Sequence, residues 1–289
     1  MAFGTLRWYG LRGLLMASIV LSMSSRALSQ SGVGAREKST NGQSRLRSGA
    51  AATDAETAEG GVDLRPVFRD LGLAARAQGS RGTCSVFTVT QAIEFALGKQ
   101  HRRDARLSVE FLNWASNRVV REKRDGGFFS DLWRGFERYG ICDQEEMPYA
   151  VEFDASLRPS PAALAQARQR LDAGLELHWI KPWDPQRGLT DAQFAAVKET
   201  LRQGWPVCGG FLWPKDPEWD AGVLQMAPRD KVRDGHSVLL VGFRDDTSQL
   251  GGGVFLIQNT SKGPRDGAMS YEYVRTYMND AAWVGCEQD

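Results

Sequence analysis

The chain of 289 residues carries 36 Lys and Arg against 35 Asp and Glu, a formal charge of +1, so no net field draws in nucleic acid or an anionic membrane. With 42% hydrophobic and 10% aromatic residues it can bury one sizeable core, or two half-domains sharing a cleft, which excludes a disordered chain. Four cysteines are too few for a disulfide scaffold and none pairs as C-x-x-C, which argues against structural zinc; no metal or cofactor is expected.

Residues 1–29 have the parts of an export signal: Arg7 and Arg12, the apolar run Gly13 to Met23, then Ala27-Leu28-Ser29 with small residues where cleavage is read, so removal is expected after Ser29. The apolar run falls short of the roughly 20 residues needed to span a bilayer. The expectation is therefore a secreted or otherwise extracytoplasmic protein with no stable membrane anchor, its cysteines in a compartment that permits disulfides. With Cys84 kept as a thiol, Cys142, Cys208 and Cys286 could form at most one bridge. From Gln30 to Gly61 the chain is Ser, Gly, Ala, Arg and Glu with a lone valine and a lone leucine, a linker or short pro-segment. Hydrophobic patterning begins at Val62 and runs to the end, so residues 62–289 read as one folded unit, expected to be a monomer.

Within that unit the first half is helical. Val86, Val89, Ile93 and Leu97 recur at helical spacing from Cys84, with Gly98 as the expected stop. Ser108 is placed to cap a second helix holding Phe111, Leu112, Ala115 and Val119, and Ser130 a third holding Leu132, Trp133, Phe136 and Tyr139 and ending at Gly140. Ser160-Pro161 and Thr190-Asp191 open two more, ending near Gly174 and Gly204. Beyond Gly204 the segments Pro206–Trp213, His236–Phe243, Val254–Gln258, Met269–Val274 and Trp283–Cys286 are short and β-rich. The fold class is α+β, helices first.

A thiol at a helix start is a candidate nucleophile, because the unpaired N–H groups and the dipole there favour thiolate. Cys84 is so placed, between Gly79, Gly82 and the charge of Arg81. A base must come from His101, His178 or His236. His101 lies in the charged run Lys99 to Arg103 and His178 in a connecting strand, whereas His236 opens an apolar strand after Asp234-Gly235. Asn259 ends the strand expected beside it and could orient the imidazole. Asn259-Thr260-Ser261 also matches a glycosylation sequon, but it follows a strand that reads as buried.

In order, these residues resemble the papain/cathepsin family of cysteine peptidases, particularly its bacterial members. The motifs are Val62-Asp63-Leu64-Arg65, the run Gln78 to Phe87 around Cys84, Leu107-Ser108, Gly126-Gly127-Phe128, Tyr139-Gly140-Ile141, Pro148-Tyr149, Gly235-His236-Ser237-Val238 and Ile257-Gln258-Asn259. The interval from Cys84 to His236 is near the roughly 130–150 residues typical of such enzymes. The resemblance implies a two-lobed fold, helical first lobe and antiparallel β-barrel-like second lobe, with the active-site cleft between them. It implies a peptide or protein substrate. Cys84 would be nucleophile, His236 base, Asn259 its orienting partner and Gln78 an oxyanion donor. Gly126 and Gly127 would offer bare backbone to an extended peptide, and Phe128 with Gly235 would border one side-chain pocket.

Departures accompany the likeness. The tryptophans usual after the nucleophile and after the asparagine are Ser85 and Ser261, so the hydrophobic roof over the His–Asn contact is missing from the sequence. Lys262 is expected near the imidazole, where its charge opposes the protonated ring. Arg81 stands where the family has a disulfide cysteine, and Gln30 to Gly61 is too short and polar for the inhibitory pro-region. Two other readings stay open: a catalytically weak or inactive papain-shaped binding module, and a thiol acyltransferase.

Overall fold

The structure, a computed structural model, describes residues 60–101, 106–261 and 264–286. The expected export signal, the linker up to residue 59, residues 102–105 of the charged run and Lys262 lie outside them. Seven helices are found among the described residues: α1 (Arg65–Asp70), α2 (Cys84–His101), α3 (Val109–Val120), α4 (Phe129–Tyr139), α5 (Pro161–Gln169), α6 (Asp191–Arg202) and α7 (Tyr271–Tyr277). The strands are β1 (Gly61–Asp63), β2 (Leu175–Lys181), β3 (Val207–Pro214), β4 (Trp219–Asp220), β5 (Val223–Leu224), β6 (Val232–Asp245), β7 (Gly253–Gln258), β8 (Asp266–Ser270) and β9 (Met278–Cys286).

Capping chemistry sets several boundaries. Ser108 accepts from Phe111 N and opens α3, Ser160 accepts from Ala163 N ahead of Pro161 in α5, and Thr190 with Gln193 forms a capping box for α6. Three expectations change. Gly98 does not stop α2, which runs on to His101: Phe95 packs against Trp205 and Lys99 lies over the same ring at 3.7 Å, contacts that outweigh the roughly 1 kcal/mol a mid-helix glycine costs. Helix α4 starts at Phe129, ahead of Ser130, with Phe128 at the cap position and Asp131 in the first turn. Met269–Val274 is not one strand: β8 ends at Ser270, whose hydroxyl accepts from Tyr273 N and starts α7. Tyr271, Tyr273 and Val274 are buried there, and residues buried on all sides carry no period that separates strand from helix.

The strands form one nine-stranded sheet in the order β2-β9-β3-β6-β7-β8-β5-β4, with β1 joining β6. All pairs are antiparallel except β5 with β8. Helix α2 lies across β3, β6 and β9, and a single core joins it to the sheet: Val86, Val89 and Ile93 share one buried cluster with Val207, Val238, Leu240 and Ile257. A smaller cluster, with Phe111, Ala115, Cys142, Met147, Ala163 and Ala167, holds α3 to α5. Cys142 and Cys208 are buried free thiols. No helix among the described residues is long and apolar enough to cross a membrane. The line where the start of α2 meets the ends of β3, β6 and β9 is where the candidate residues gather.

Candidate active site

Cys84 is the first residue of α2 and is 7% exposed. Its thiol donates to Gly235 O at 3.7 Å. Burial pushes this thiol up, while the N–H and hydroxyl of Ser237 and the N–H of Ser85 pull it down. His236 lies on β6 opposite Phe211 of β3, and the β6–β7 register, Leu239 against Gln258, carries Asn259 up beside it. The His236 Nε2–H donates to Asn259 Oδ1 at 3.1 Å, which leaves Nδ1 as the basic nitrogen. Burial holds the imidazole down to about 4, against the Asn259 hydrogen bond, which raises it. Burial thus works against the thiolate–imidazolium pair that the helix start favours.

Gln78, in the loop before α2, is buried. Its backbone N–H donates to Thr260 O at 2.9 Å, its Nε2 donates to Arg81 O at 2.7 Å, and its Oε1 accepts from Thr260 Oγ1 at 2.8 Å. Tyr149 braces the same loop, its hydroxyl donating to Gln78 O at 2.9 Å and lying 2.6 Å from Thr83 Oγ1. Arg81, expected to favour thiolate, turns away from it. Its guanidinium pairs with Glu110 at 2.5 Å and Asp125 at 2.7 Å, donates to Ala150 O at 2.9 Å and lies over the Tyr149 ring, so its charge is neutralised by two carboxylates.

Opposite the thiol runs the segment Asp125–Phe128. Gly126 has φ +74°, and a Cβ there would fall 2.6 Å from Gly82 O, so only glycine lets this segment lie against the loop before α2. Its N–H donates to Asn113 Oδ1, and that of Gly127 to Ser85 Oγ at 3.2 Å. The backbone expected to be bare is thus already hydrogen-bonded on its donor side. Cys84, Ser85, Gly126, Gly127, Phe128, Gly235, His236 and Ser237 line one cleft of about 210 Å³. Asn259 and Gln78 are not among the residues that line it. Of the other histidines, His178 stacks on Trp283 at 4.2 Å, in the β2–β9 pair.

A thiol at the start of a buried helix shares a cleft with an imidazole that is hydrogen-bonded to an amide following the neighbouring strand. No family model matches the sequence. The chain is similar to an uncharacterized peptidase C1-like protein of Acanthamoeba polyphaga mimivirus, 24% identical over 231 residues that cover 75% of this chain and 70% of that one. It is also similar to the crystal structure of xylellain, a cysteine protease from Xylella fastidiosa, with TM-score 0.61 and 21% identity over 80% of this chain and 88% of that one. The digestive procathepsin L 3 of Tenebrio molitor larval midgut matches with TM-score 0.54 and 18% identity over 80% and 72%. The fold is papain-like.

Within this papain-like frame the departures acquire structural meaning. The shield absent at Ser85 and Ser261 comes from Trp213 at the end of β3, which packs edge-on against His236 with ring centroids 4.3 Å apart. Asn259 is fully buried and His236 only 9% exposed, so water is kept from their contact without the usual tryptophans. Ser261 adds a hydroxyl that donates to Asn259 Oδ1 at 3.2 Å. Where the papain-like pattern has a disulfide cysteine, Arg81 supplies a buried ionic clamp. Sequence reading missed Trp213, which covers His236, and Trp183, Ser237 and Asp280, which also line the cleft. The one available signal was the aromatic run at the end of the strand that pairs with the histidine strand.

Proposed function

We propose that the protein is a cysteine peptidase with Cys84 as nucleophile, His236 as base, Asn259 as the residue that orients it and Gln78 as an oxyanion donor. The single observation that carries this reading is the buried His236–Asn259 hydrogen bond in the same cleft as a cysteine at a helix start. Nδ1 of His236 takes the Cys84 proton as the sulfur attacks a peptide carbonyl. The resulting oxyanion meets the backbone N–H of Cys84 and the second Nε2 hydrogen of Gln78; donors of this kind contribute about 3–4 kcal/mol in typical sites. The imidazolium returns its proton to the leaving amine, and a thioester remains. Water, deprotonated by the same nitrogen, then cleaves the thioester and restores the thiol.

Peptide substrates fit the cleft because its walls at Gly126, Gly127 and Phe128 suit an extended chain entering as an added strand. The export signal over residues 1–29, the linker over 30–61 and the folded unit over 62–289 make the reading one of an extracytoplasmic enzyme; N-terminal sequencing of the mature protein at Gln30 tests it. The decisive experiment labels the reduced protein with an epoxysuccinyl peptide and maps the modified cysteine. Rapid modification of Cys84, lost in His236→Ala, is expected, with peptide hydrolysis abolished in Cys84→Ala. The burial of thiol and imidazole, which opposes their charged forms, favours one rival, a papain-shaped binding module, and slow labelling scattered over the four cysteines would decide for it. Amine capture of the acyl group in place of water would decide for an acyltransferase.

A further inference from the structure

Between α3 and the segment 147–158 lies a cavity of about 400 Å³, a volume ordinary for a small-molecule site. It shares no lining residue with the cleft that holds Cys84. Met147 is buried in its wall, and Trp114, Phe153 and Leu157 are half-buried beside it. Arg118, Arg121, Lys123 and Arg158 are exposed at its rim. The cavity is therefore apolar within and cationic at the mouth.

Its polar groups offer donors and few acceptors. Both oxygens of Glu110 accept from Arg81, and one of them also from Ala150 N. The side chains of Asn113 and Asn117 are spent on the backbone of residues 124–126. The Trp114 indole N–H, by contrast, is a buried donor with no acceptor among the described residues. Arg118, Arg121 and Lys123 make no hydrogen bond or ion pair among the described residues, and Arg158 holds only the carbonyls of Ala155 and Leu157. Arg121 also ends α3 in the left-handed conformation, φ 62°, where glycine or asparagine is the usual choice. Its long side chain is kept there against local preference, with no ion pair in return.

The charges leave the mouth positive. Glu122 is paired with Arg124, and Glu110 and Asp125 share Arg81. The four rim cations then face only Asp154 and the one carboxylate in excess at Arg81. The negative end of the α3 dipole, roughly half a charge, offsets only part of the remainder. Arg118 and Arg121, three residues apart at the end of α3, are close enough to share one anion. We propose that this cavity binds a small organic anion, its apolar body against Trp114, Met147, Phe153 and Leu157 and its carboxylate, sulfonate or phosphate held by Arg118 and Arg121. The site stands apart from the peptidase reading and does not rest on it.

The probe is 2-naphthylacetate, titrated calorimetrically into the full chain beside 2-naphthylacetamide, which has the body without the charge, and inorganic phosphate, which has the charge without the body. The acid is expected to bind about tenfold or more tightly than either, the ratio of one charge-assisted hydrogen bond over the amide. Arg121→Gly suits the left-handed turn and should fold at least as stably as the parent. With Arg118→Gln added, the acid–amide ratio should fall to about one at unchanged or raised Tm, whereas Trp183→Ala, beside the other cleft, should leave it as it was. Equal affinity for acid and amide, phosphate binding as tightly as the acid, a ratio that survives the double variant, or one lost in Trp183→Ala would overturn the assignment. Peptide hydrolysis and the epoxysuccinyl labelling of Cys84 are read separately, so failure here leaves the peptidase reading intact, and failure there leaves this site.

Discussion

Ser85 decides what an incoming substrate strand meets first. Its hydroxyl accepts from the Gly127 N–H at 3.2 Å, a donor that strand pairing with a peptide would use. Substrate must break that bond before making its own. A hydrogen bond of this kind is worth about 1 kcal/mol net, so Ser85→Ala should lower KM for a peptide about fivefold with little change in kcat. Steady-state kinetics read the split, and an unchanged KM would mean that substrate does not use the Gly127 N–H. Ser261 acts differently, since its hydroxyl and N–H both donate to Asn259 Oδ1 and so help fix the amide that is hydrogen-bonded to His236.

At the scale of elements, three segments distant in sequence converge on Arg81. Its guanidinium joins the loop before α2 to Glu110 on α3 and to Asp125 at the head of the cleft wall, and Ala150 N closes the cluster on Glu110 Oε2 at 3.1 Å. The side chains of Arg81 and Glu110 are 3% and 4% exposed. Removing one partner from such a buried group leaves charge without compensation, at about 3–5 kcal/mol. Arg81→Met should therefore lower stability to urea by that amount, and adding Glu110→Gln and Asp125→Asn should recover part of it. A loss under about 1 kcal/mol would show that the cluster is a passenger and that packing alone holds the cleft wall to the loop before α2.

Over the whole described fold, helices and sheet share one core, and Phe95 is at its junction. Its ring lies 4.6 Å from Phe68 of α1 and 6.3 Å from Trp205, which leads into β3. Helical and sheet parts should then unfold together. Phe95→Ala is expected to cost about 3–5 kcal/mol and to shift the far-ultraviolet transition and the loss of Cys84 protection from alkylation by the same amount. Transitions that separate would mean that the helical part and the sheet are stable independently.

Local chemistry explains what could be read ahead of the fold. Ser108, Ser160 and Thr190 cap helices because a side-chain oxygen within three residues satisfies an orphan N–H, and that geometry is written in neighbouring positions. The helix that Cys84 begins is written in the local spacing of Val86, Val89, Ile93 and Leu97, and the short apolar strands around His236 and Asn259 already pointed to neighbours. Other features depend on residues far apart in the chain. Trp213 covers His236 only because β3 and β6 pair, and Arg81 loses its role at the thiol because α3 and the cleft wall bring two carboxylates to it. Burial pushes the thiol and the imidazole toward neutrality, a property of the assembled core that no motif carries. The sequence alone determined which residues could do the chemistry. Tertiary packing decided their shielding and set burial against their charged forms, because desolvation and ion pairing act through space.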